Sequence, residues 1–289
     1  MIFIMNSILR SIWPVGRQRG ISYYPFVVNN SEYTMKSPGR HTRTVITPAK
    51  LPAQQRQSLF EELYHVHNAI FIGEDLATFT RSLAPANAIH TRILLHRDKR
   101  NRLVGYCAVH LFRHQGTQTR ISVIRAQAGL HEAFRGHNSI VAFFIGCVLR
   151  YWLSNPFRPM VFVEAMIHPS SFLLMHKYGH AIWPGPESDP GHPLARIARE
   201  LLPTLGYRPV SQGCPIVVDT GASIRETPAA RRRWQHNDKA SVRYFLANNP
   251  GYPQGHGLLA LATVSPSAFV HSLARYVHFR LARRLAAPH

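Results

Sequence analysis

The stretch from Gly129 to Ile140 combines residue types in an order that could bind an anion. A β-like segment runs into a short loop with Arg135 and Gly136, and a helical apolar pattern follows Asn138, a residue type that caps helix N-termini. Such a strand–loop–helix junction directs backbone N–H groups and the positive end of a helix dipole towards one point. We therefore predict that the loop from Arg135 to Ser139 forms a pyrophosphate site. The alternative is that it is an ordinary turn before a helix.

Glu164 is the one charged residue in the apolar run Met160–Met166, which is typical of a buried strand. Carboxylates are rarely buried without a partner. Glu164 is therefore interpreted either as the partner of an arginine or as a base whose pKa is raised by burial. His168, just beyond this strand, is interpreted mainly as a helix cap.

Composition limits the partners of the chain. The 289 residues include 34 Lys and Arg against 14 Asp and Glu, a formal net charge of +20. Nucleic acid, an anionic membrane surface, a nucleotide cofactor or an acidic carrier protein would each complement this charge.

Three cysteines without a CxxC pair favour a reducing compartment, and we expect a cytoplasmic protein. No metal site is predicted, because His176 and His180 have helical spacing but Gly179 lies between them. The apolar N-terminus is short and interrupted, so it is not interpreted as a signal peptide. The run Ile140–Leu149 is too short to cross a bilayer, and no transmembrane segment is predicted.

Hydrophobic periodicity predicts a mixed α/β (α+β) fold for the middle of the chain. The predicted order is one strand, two helices, three adjacent antiparallel strands, a helix, a strand, a helix and a final strand. Three parts are expected: residues 1–40 as an N-terminal extension, residues 41–220 as the main domain, and residues 221–289 as a basic helical C-terminal extension.

Three segments carry a resemblance to the GNAT (N-acetyltransferase) superfamily, over residues 42–219. Arg102-Leu103-Val104-Gly105-Tyr106 resembles part of that family's central strand pair, and Leu130–Ile140 resembles its loop for the acyl-CoA pyrophosphate. His168–His180 is similar to its late helix, including Lys177-Tyr178-Gly179. The resemblance implies a mixed, mostly antiparallel central sheet with flanking helices.

The resemblance also implies transfer of an acyl group from a thioester donor to an amine. The donor would be acetyl-CoA, a longer acyl-CoA or an acyl carrier protein, and the thioester would lie along the strand edge near Leu130. The amine must lose a proton, and the candidate bases are Glu164, His131 and Glu132. The residues implied to bind the donor are Leu130, Arg135, Gly136, His137, Asn138 and Ser139.

In a second interpretation, the chain has the same fold but does not catalyse acyl transfer. Asn138 and Ile140 stand where the family usually has small residues, and Met175 stands where it often has a tyrosine acid. These departures favour a non-catalytic module. The basic segment Arg231–Trp234 is either part of its binding surface or a solvated face, and the basic last helix either binds a membrane surface or packs onto the main domain. Such a module would bind nucleic acid or an anionic membrane surface through its basic face.

Overall fold

The computed structural model describes residues 42–115, 120–134, 139–187, 191–210 and 216–285. The α-helices are α1 (Ala53–Ile70), α2 (Leu76–Leu83), α3 (Ser139–Ser154), α4 (Pro169–Tyr178), α5 (Pro193–Leu205), α6 (Pro228–Gln235), α7 (Ala240–Asn248) and α8 (Pro266–Leu285). The strands are β1 (Thr42–Ile46), β2 (Phe71–Ile72), β3 (His90–Arg97), β4 (Leu103–Gln115), β5 (Arg120–Leu130), β6 (Met160–Met166), β7 (Ile182–Trp183), β8 (Arg208–Pro209), β9 (Val217–Asp219), β10 (Ser223–Ile224) and β11 (His256–Val264).

One nine-stranded sheet organises the molecule, in the order β1-β3-β4-β5-β6-β11-β9-β8, with β7 also paired to β11. All neighbouring strands are antiparallel except β5 and β6. A parallel pair needs a long crossover connection, and α3 supplies it. The mixed, mostly antiparallel sheet with flanking helices is the predicted fold class.

Helices cover both faces of the sheet. Residues alternate along β3, so Ile93 and Leu95 pack under α1 and α2, whereas Leu94 packs under α3. On the first of these faces α5 covers β6 and β11, with Ala198 and Leu201 fully buried. Strand β4 is therefore apolar on both sides, which explains why its sequence shows a continuous run rather than an alternation.

Most predicted elements are confirmed, but one central strand was missed. β11 lies between β6 and β9, so strands from both sides of residue 220 share one sheet. Residues 221–289 thus contribute a strand as well as helices. The segment Gly257–Ala262 is almost wholly apolar, and periodicity alone cannot distinguish a buried strand from a short buried helix.

Within the described ranges, none of the helices is both long enough and apolar enough to span a membrane.

His110 on β4 generates a prediction about stability and pH. It is buried opposite Arg125 and lies 3.1 Å from Thr91 Oγ1. Burial, together with the Arg125 charge, lowers the pKa of His110 to about 3. Below a pH of about 6.5 the unfolded chain therefore takes up a proton that the folded chain excludes.

We expect this histidine to lower the free energy of unfolding by up to about 1.4 kcal/mol per pH unit as the pH falls from about 6.5 towards the folded-state value. His110→Gln keeps a polar partner for Thr91 and removes the titration. Urea denaturation between pH 7.5 and 4.5 should show a shallower loss of stability for the variant, by about 3 kcal/mol over the range. Parallel pH profiles for the two proteins would contradict the prediction.

Candidate functional site

A gap opens in the middle of the sheet, between β5 and β6. The two strands pair only from Ser122↔Met160 to Ile124↔Phe162, and beyond this point no pairing links their C-terminal halves. Ser122 N–H donates to Pro159 O at 2.8 Å, so the even-numbered residues of β5 direct their N–H groups towards β6. Ala128, four residues after the last pair, is exposed although it lies in a central strand.

Glu164 of β6 occupies the start of the gap. Ala126 N–H donates to its Oε2 at 3.2 Å, in place of the backbone carbonyl that a continuous sheet would provide. Its Oε1 lies 3.2 Å from Arg125 Nη2 and accepts a hydrogen bond from the Tyr207 hydroxyl at 2.8 Å. Of the two interpretations of Glu164, the structure contains the pairing with an arginine, and the carboxylate is aimed at the gap.

Arg125 and Tyr207 form a half-buried support for this carboxylate. Arg125 Nη2 also donates to the Tyr207 hydroxyl, and its guanidinium carbon lies 5.0 Å from the centre of that ring. Burial alone would lower the pKa of Arg125, but the Glu164 carboxylate reverses this and raises it above the ordinary value. Burial raises the pKa of Tyr207, so its hydroxyl stays protonated and acts as a donor.

The α1–α2 side of the gap has a second polar network. The Tyr106 hydroxyl is 2.8 Å from His67 Nδ1, and His67 Nε2 is 2.9 Å from Glu74 Oε2. Gln127 Nε2 lies 3.5 Å from the same hydroxyl and connects this network to β5. Burial raises the pKa of Tyr106 far above its usual range, so this hydroxyl remains protonated.

Gly129 allows side chains from α1, β2 and β4 to pack closely against β5. A Cβ at this position would be 3.0 Å from Phe71 Cε2, 3.2 Å from Tyr106 Cε1 and 3.3 Å from Ile70 Cδ1. These are tighter than ordinary van der Waals contacts, so a glycine is needed for the close approach. The β2 segment that contains Phe71 pairs with β10, which brings the chain after residue 220 to the gap.

A third cluster lies where β6 leads into α4. His168 Nδ1 accepts from Ser170 N–H at 3.2 Å, which confirms the predicted capping role. Its Nε2 lies 3.2 Å from the buried Glu226 Oε1. Tyr252 O–H donates to Glu226 Oε2 at 3.1 Å, and Arg231 Nε is 3.3 Å from the same oxygen. Arg231, a candidate for nucleic-acid contact, is thus one partner of a buried carboxylate.

The other predicted residues lie at the C-terminal end of β5. His131 N–H donates to Val104 O at 3.0 Å, so this N–H stays on the β4 side and does not point into the gap. His131 Nδ1 is buried and has no hydrogen-bond partner among the described residues. Glu132 is exposed in the short helix Glu132–Phe134, and Leu130 is half-buried at the end of β5.

Of the predicted phosphate loop, the structure describes Ser139. Ser139 begins α3, is buried, and its Oγ lies 3.5 Å from His96 Nε2. The remaining members of the predicted loop, Arg135, Gly136, His137 and Asn138, lie outside the described residues.

Sequence inspection missed Arg125, Tyr207, Gln127 and Ala128. Arg125 could have been noticed as the charge that interrupts the apolar pattern of β5, just as Glu164 interrupts that of β6. Tyr207 carries no such signal, because it follows α5 and is 43 residues from Glu164. Ala128 is informative only through its exposure within the fold.

The described residues contain no group of three or more His, Cys, Asp and Glu side chains arranged to hold a metal ion. Cys107 and Cys147 are both buried thiols, as expected for small core residues.

Comparisons with known proteins give structural similarities only. No family model matches the chain, and no curated protein matches it in sequence. The structure of NAA60 from Arabidopsis thaliana in complex with acetyl-CoA is 12% identical with a TM-score of 0.33, covering 78% of this chain and 99% of that one. A ribosomal-protein-alanine N-acetyltransferase from Brucella melitensis is 14% identical with a TM-score of 0.34, covering 50% and 93%. A Trypanosoma brucei acetyltransferase is 14% identical with a TM-score of 0.31, covering 49% and 92%.

Several of the matching structures are acetyltransferases.

The Glu164–Arg125 contact predicts a measurable coupling in stability. Glu164→Ala leaves the Arg125 charge partly buried without its carboxylate, and we expect a loss of about 3 kcal/mol in the free energy of unfolding. Glu164→Gln has a single acceptor oxygen and can keep only one of the two hydrogen bonds donated by Ala126 N–H and the Tyr207 hydroxyl, so its cost should be smaller than that of Glu164→Ala, at about 2 kcal/mol. Urea denaturation at pH 7.5 measures both values.

A double-mutant cycle with Arg125→Ala isolates the pair from other effects. The double variant should be more stable than the sum of the two single losses predicts, by about 1–3 kcal/mol. Additive losses would show that the two side chains are not energetically coupled.

Proposed function

We propose that the protein transfers an acyl group from a thioester donor to an amine, within the gap between β5 and β6. The observation that carries the proposal is the loss of pairing after Ile124↔Phe162, which leaves Ala128 exposed in the centre of a sheet. Backbone groups that no strand pairs there are available to a ligand. An extended ligand with amide groups can use them as a strand would.

The donor is proposed to lie along β5, with its thioester near Ala128. CoA has an extended arm with two amide bonds and ends in phosphates, so it matches both a strand edge and a basic protein of net charge +20. The loop before Ser139, at the start of α3, is proposed to hold the phosphates through helix N-terminal N–H groups. An acidic acyl carrier protein would meet the same charge requirement.

The chemistry consists of one substitution at a carbonyl carbon. The amine nitrogen attacks, the C–N bond forms, the C–S bond breaks, and the amine proton passes finally to the departing thiolate. Ala128 N–H is proposed to polarise the thioester oxygen. Glu164 is proposed to accept the amine proton while it stays paired with Arg125, so that the two interpretations are combined: Arg125 and Tyr207 fix the position of the carboxylate that acts as the base. His131 and Glu132 remain the alternative bases at the mouth of the gap.

Donor binding tests the assigned gap. Acetyl-CoA, a longer acyl-CoA or an acyl carrier protein should stabilise the folded protein, by about 2.7 kcal/mol at a ligand concentration of 100 times Kd. Ala128→Trp should abolish this stabilisation, because the indole would fill the gap. Ala53→Trp is the matched control, since Ala53 is also exposed but lies at the start of α1. Isothermal titration and thermal melting measure the effect.

Retention of donor binding by Ala128→Trp would place the donor elsewhere, and failure of every acyl-CoA and acyl carrier protein to bind the wild-type protein would overturn the proposal.

A kinetic prediction separates chemistry from binding. Once an accepted amine is identified by thiol release from acetyl-CoA, Glu164→Gln should lower kcat by about 10²–10⁴-fold. The donor Kd should change little, because the backbone N–H groups of β5 remain. An unchanged kcat would exclude Glu164 as the base and direct attention to His131→Gln and Glu132→Gln.

A further inference from the structure

Phe157 is the most exposed of the large hydrophobic side chains that the structure describes. It is 99% exposed, although a phenyl ring is among the side chains that gain most from burial. Its turn is held by two hydrogen bonds, from Asn155 N–H to Trp152 O at 3.0 Å and from Arg158 N–H to Asn155 O at 3.2 Å. Pro156 occupies the first central position of this turn, which restricts the backbone further. The ring is therefore held out towards solvent by a well-defined turn.

Other exposed apolar side chains lie at the same end of the sheet. Leu153 in the last turn of α3 is 47% exposed, and Ile89, the residue before β3, is 38% exposed. Ile89 N–H donates to Leu111 O at 2.8 Å, which fixes it beside the C-terminal part of β4. Pro159 O is bonded to Ser122 N–H of β5, so the Phe157 turn lies only two strands from β4.

Exposed arginines lie at the same end of the sheet. Arg113 of β4 and Arg120 of β5 are close to Ser122, because Arg113 pairs with Ser122 and Arg120 is two residues before it. Arg150 is exposed one turn before the end of α3. We call this surface the basic rim; it consists of Ile89, Arg113, Arg120, Arg150, Leu153 and Phe157.

No carboxylate in the segments that build the basic rim offsets its charge. Between residues 84 and 163 the chain has only two acidic residues, Asp98 and Glu132. Asp98 follows the C-terminal end of β3 and Glu132 follows that of β5, whereas the rim lies at the N-terminal ends of these strands. The local charge therefore favours an anionic partner, and the exposed apolar side chains favour an apolar one.

We propose that the basic rim binds the surface of an anionic lipid bilayer. Phe157 and Leu153 enter the boundary between headgroups and acyl chains, and the arginines contact lipid phosphates. Nucleic acid would match the arginines and could stack on Phe157, but it offers no apolar phase for Leu153 and Ile89. The combination of aromatic, aliphatic and basic side chains on one rim favours the bilayer.

This surface lies at the end of the sheet opposite to the gap. The gap opens towards the C-terminal ends of β5 and β6, and the basic rim is formed at their N-terminal ends. A protein bound through the rim would hold the gap away from the bilayer, open to water-soluble ligands. The proposal does not depend on the acyl-transfer proposal.

Vesicle flotation with the full chain tests the basic rim. Vesicles of phosphatidylcholine with about 30% phosphatidylserine should bind the protein, and vesicles of phosphatidylcholine alone should bind it much more weakly. Phe157→Ser should weaken binding about tenfold or more without lowering the melting temperature, because the side chain makes no buried contact. The matched control is Val210→Ser, since Val210 is 45% exposed beside β8 at the far edge of the sheet.

Removal of two arginine charges tests the electrostatic contribution of the basic rim to vesicle binding. Arg113→Gln with Arg120→Gln should weaken vesicle binding by about fivefold per arginine at low salt, and added salt should reduce the difference. Arg208→Gln is the control, because Arg208 is exposed on β8.

Three outcomes would overturn the proposal. The first is a failure to bind anionic vesicles, and the second is an equal effect of the rim and control variants. The third is that the protein binds single-stranded RNA in a way that Phe157→Ser weakens, but does not bind vesicles. This result would assign the rim to nucleic acid instead.

Discussion

The early end of the parallel pairing between β5 and β6 is the constraint on which the site depends. In a central strand, every backbone N–H and C=O needs a partner, and leaving one unpaired away from water is costly. Here the Glu164 carboxylate accepts the hydrogen bond from Ala126 N–H. Because Ala128 is exposed, solvent or a ligand can accept the hydrogen bond from Ala128 N–H. The gap is thus stable because a side chain occupies its narrow end and its wide end is open.

The surrounding structure supports this gap at two places, one side wall and the narrow end. On one side Tyr106, His67 and Glu74 form a buried polar network, which gives that wall a defined position. At the narrow end the Glu164 carboxylate is held by Arg125 of β5 and by Tyr207, which lies in the segment after α5. The same fold separates the charges, because the carboxylates of these networks lie around the gap while exposed arginines dominate the basic rim.

Two strands, β6 and β11, show which elements could be predicted from the sequence alone and which could not. The bounds of β6 were predicted as observed, because an apolar run between turn residues is a local signal. β11 is equally apolar, but it follows a turn cluster in a segment otherwise rich in helical signals, and nothing local shows that it enters the sheet. The candidate loop was identified from residue types, whereas Ala128, an ordinary residue type, is distinguished only by its exposure.

The sequence by itself determined the kinds and order of most elements, the resemblance to N-acetyltransferases, and the isolated position of Glu164 in an apolar strand. Those properties follow from periodicity, turn residues and composition, which are local. Only the tertiary structure decided that Glu164 meets Arg125, 39 residues away, and Tyr207, 43 residues away, at the place where two strands separate. Strand order and register set those distances, and they depend on the packing of the whole sheet rather than on any one segment.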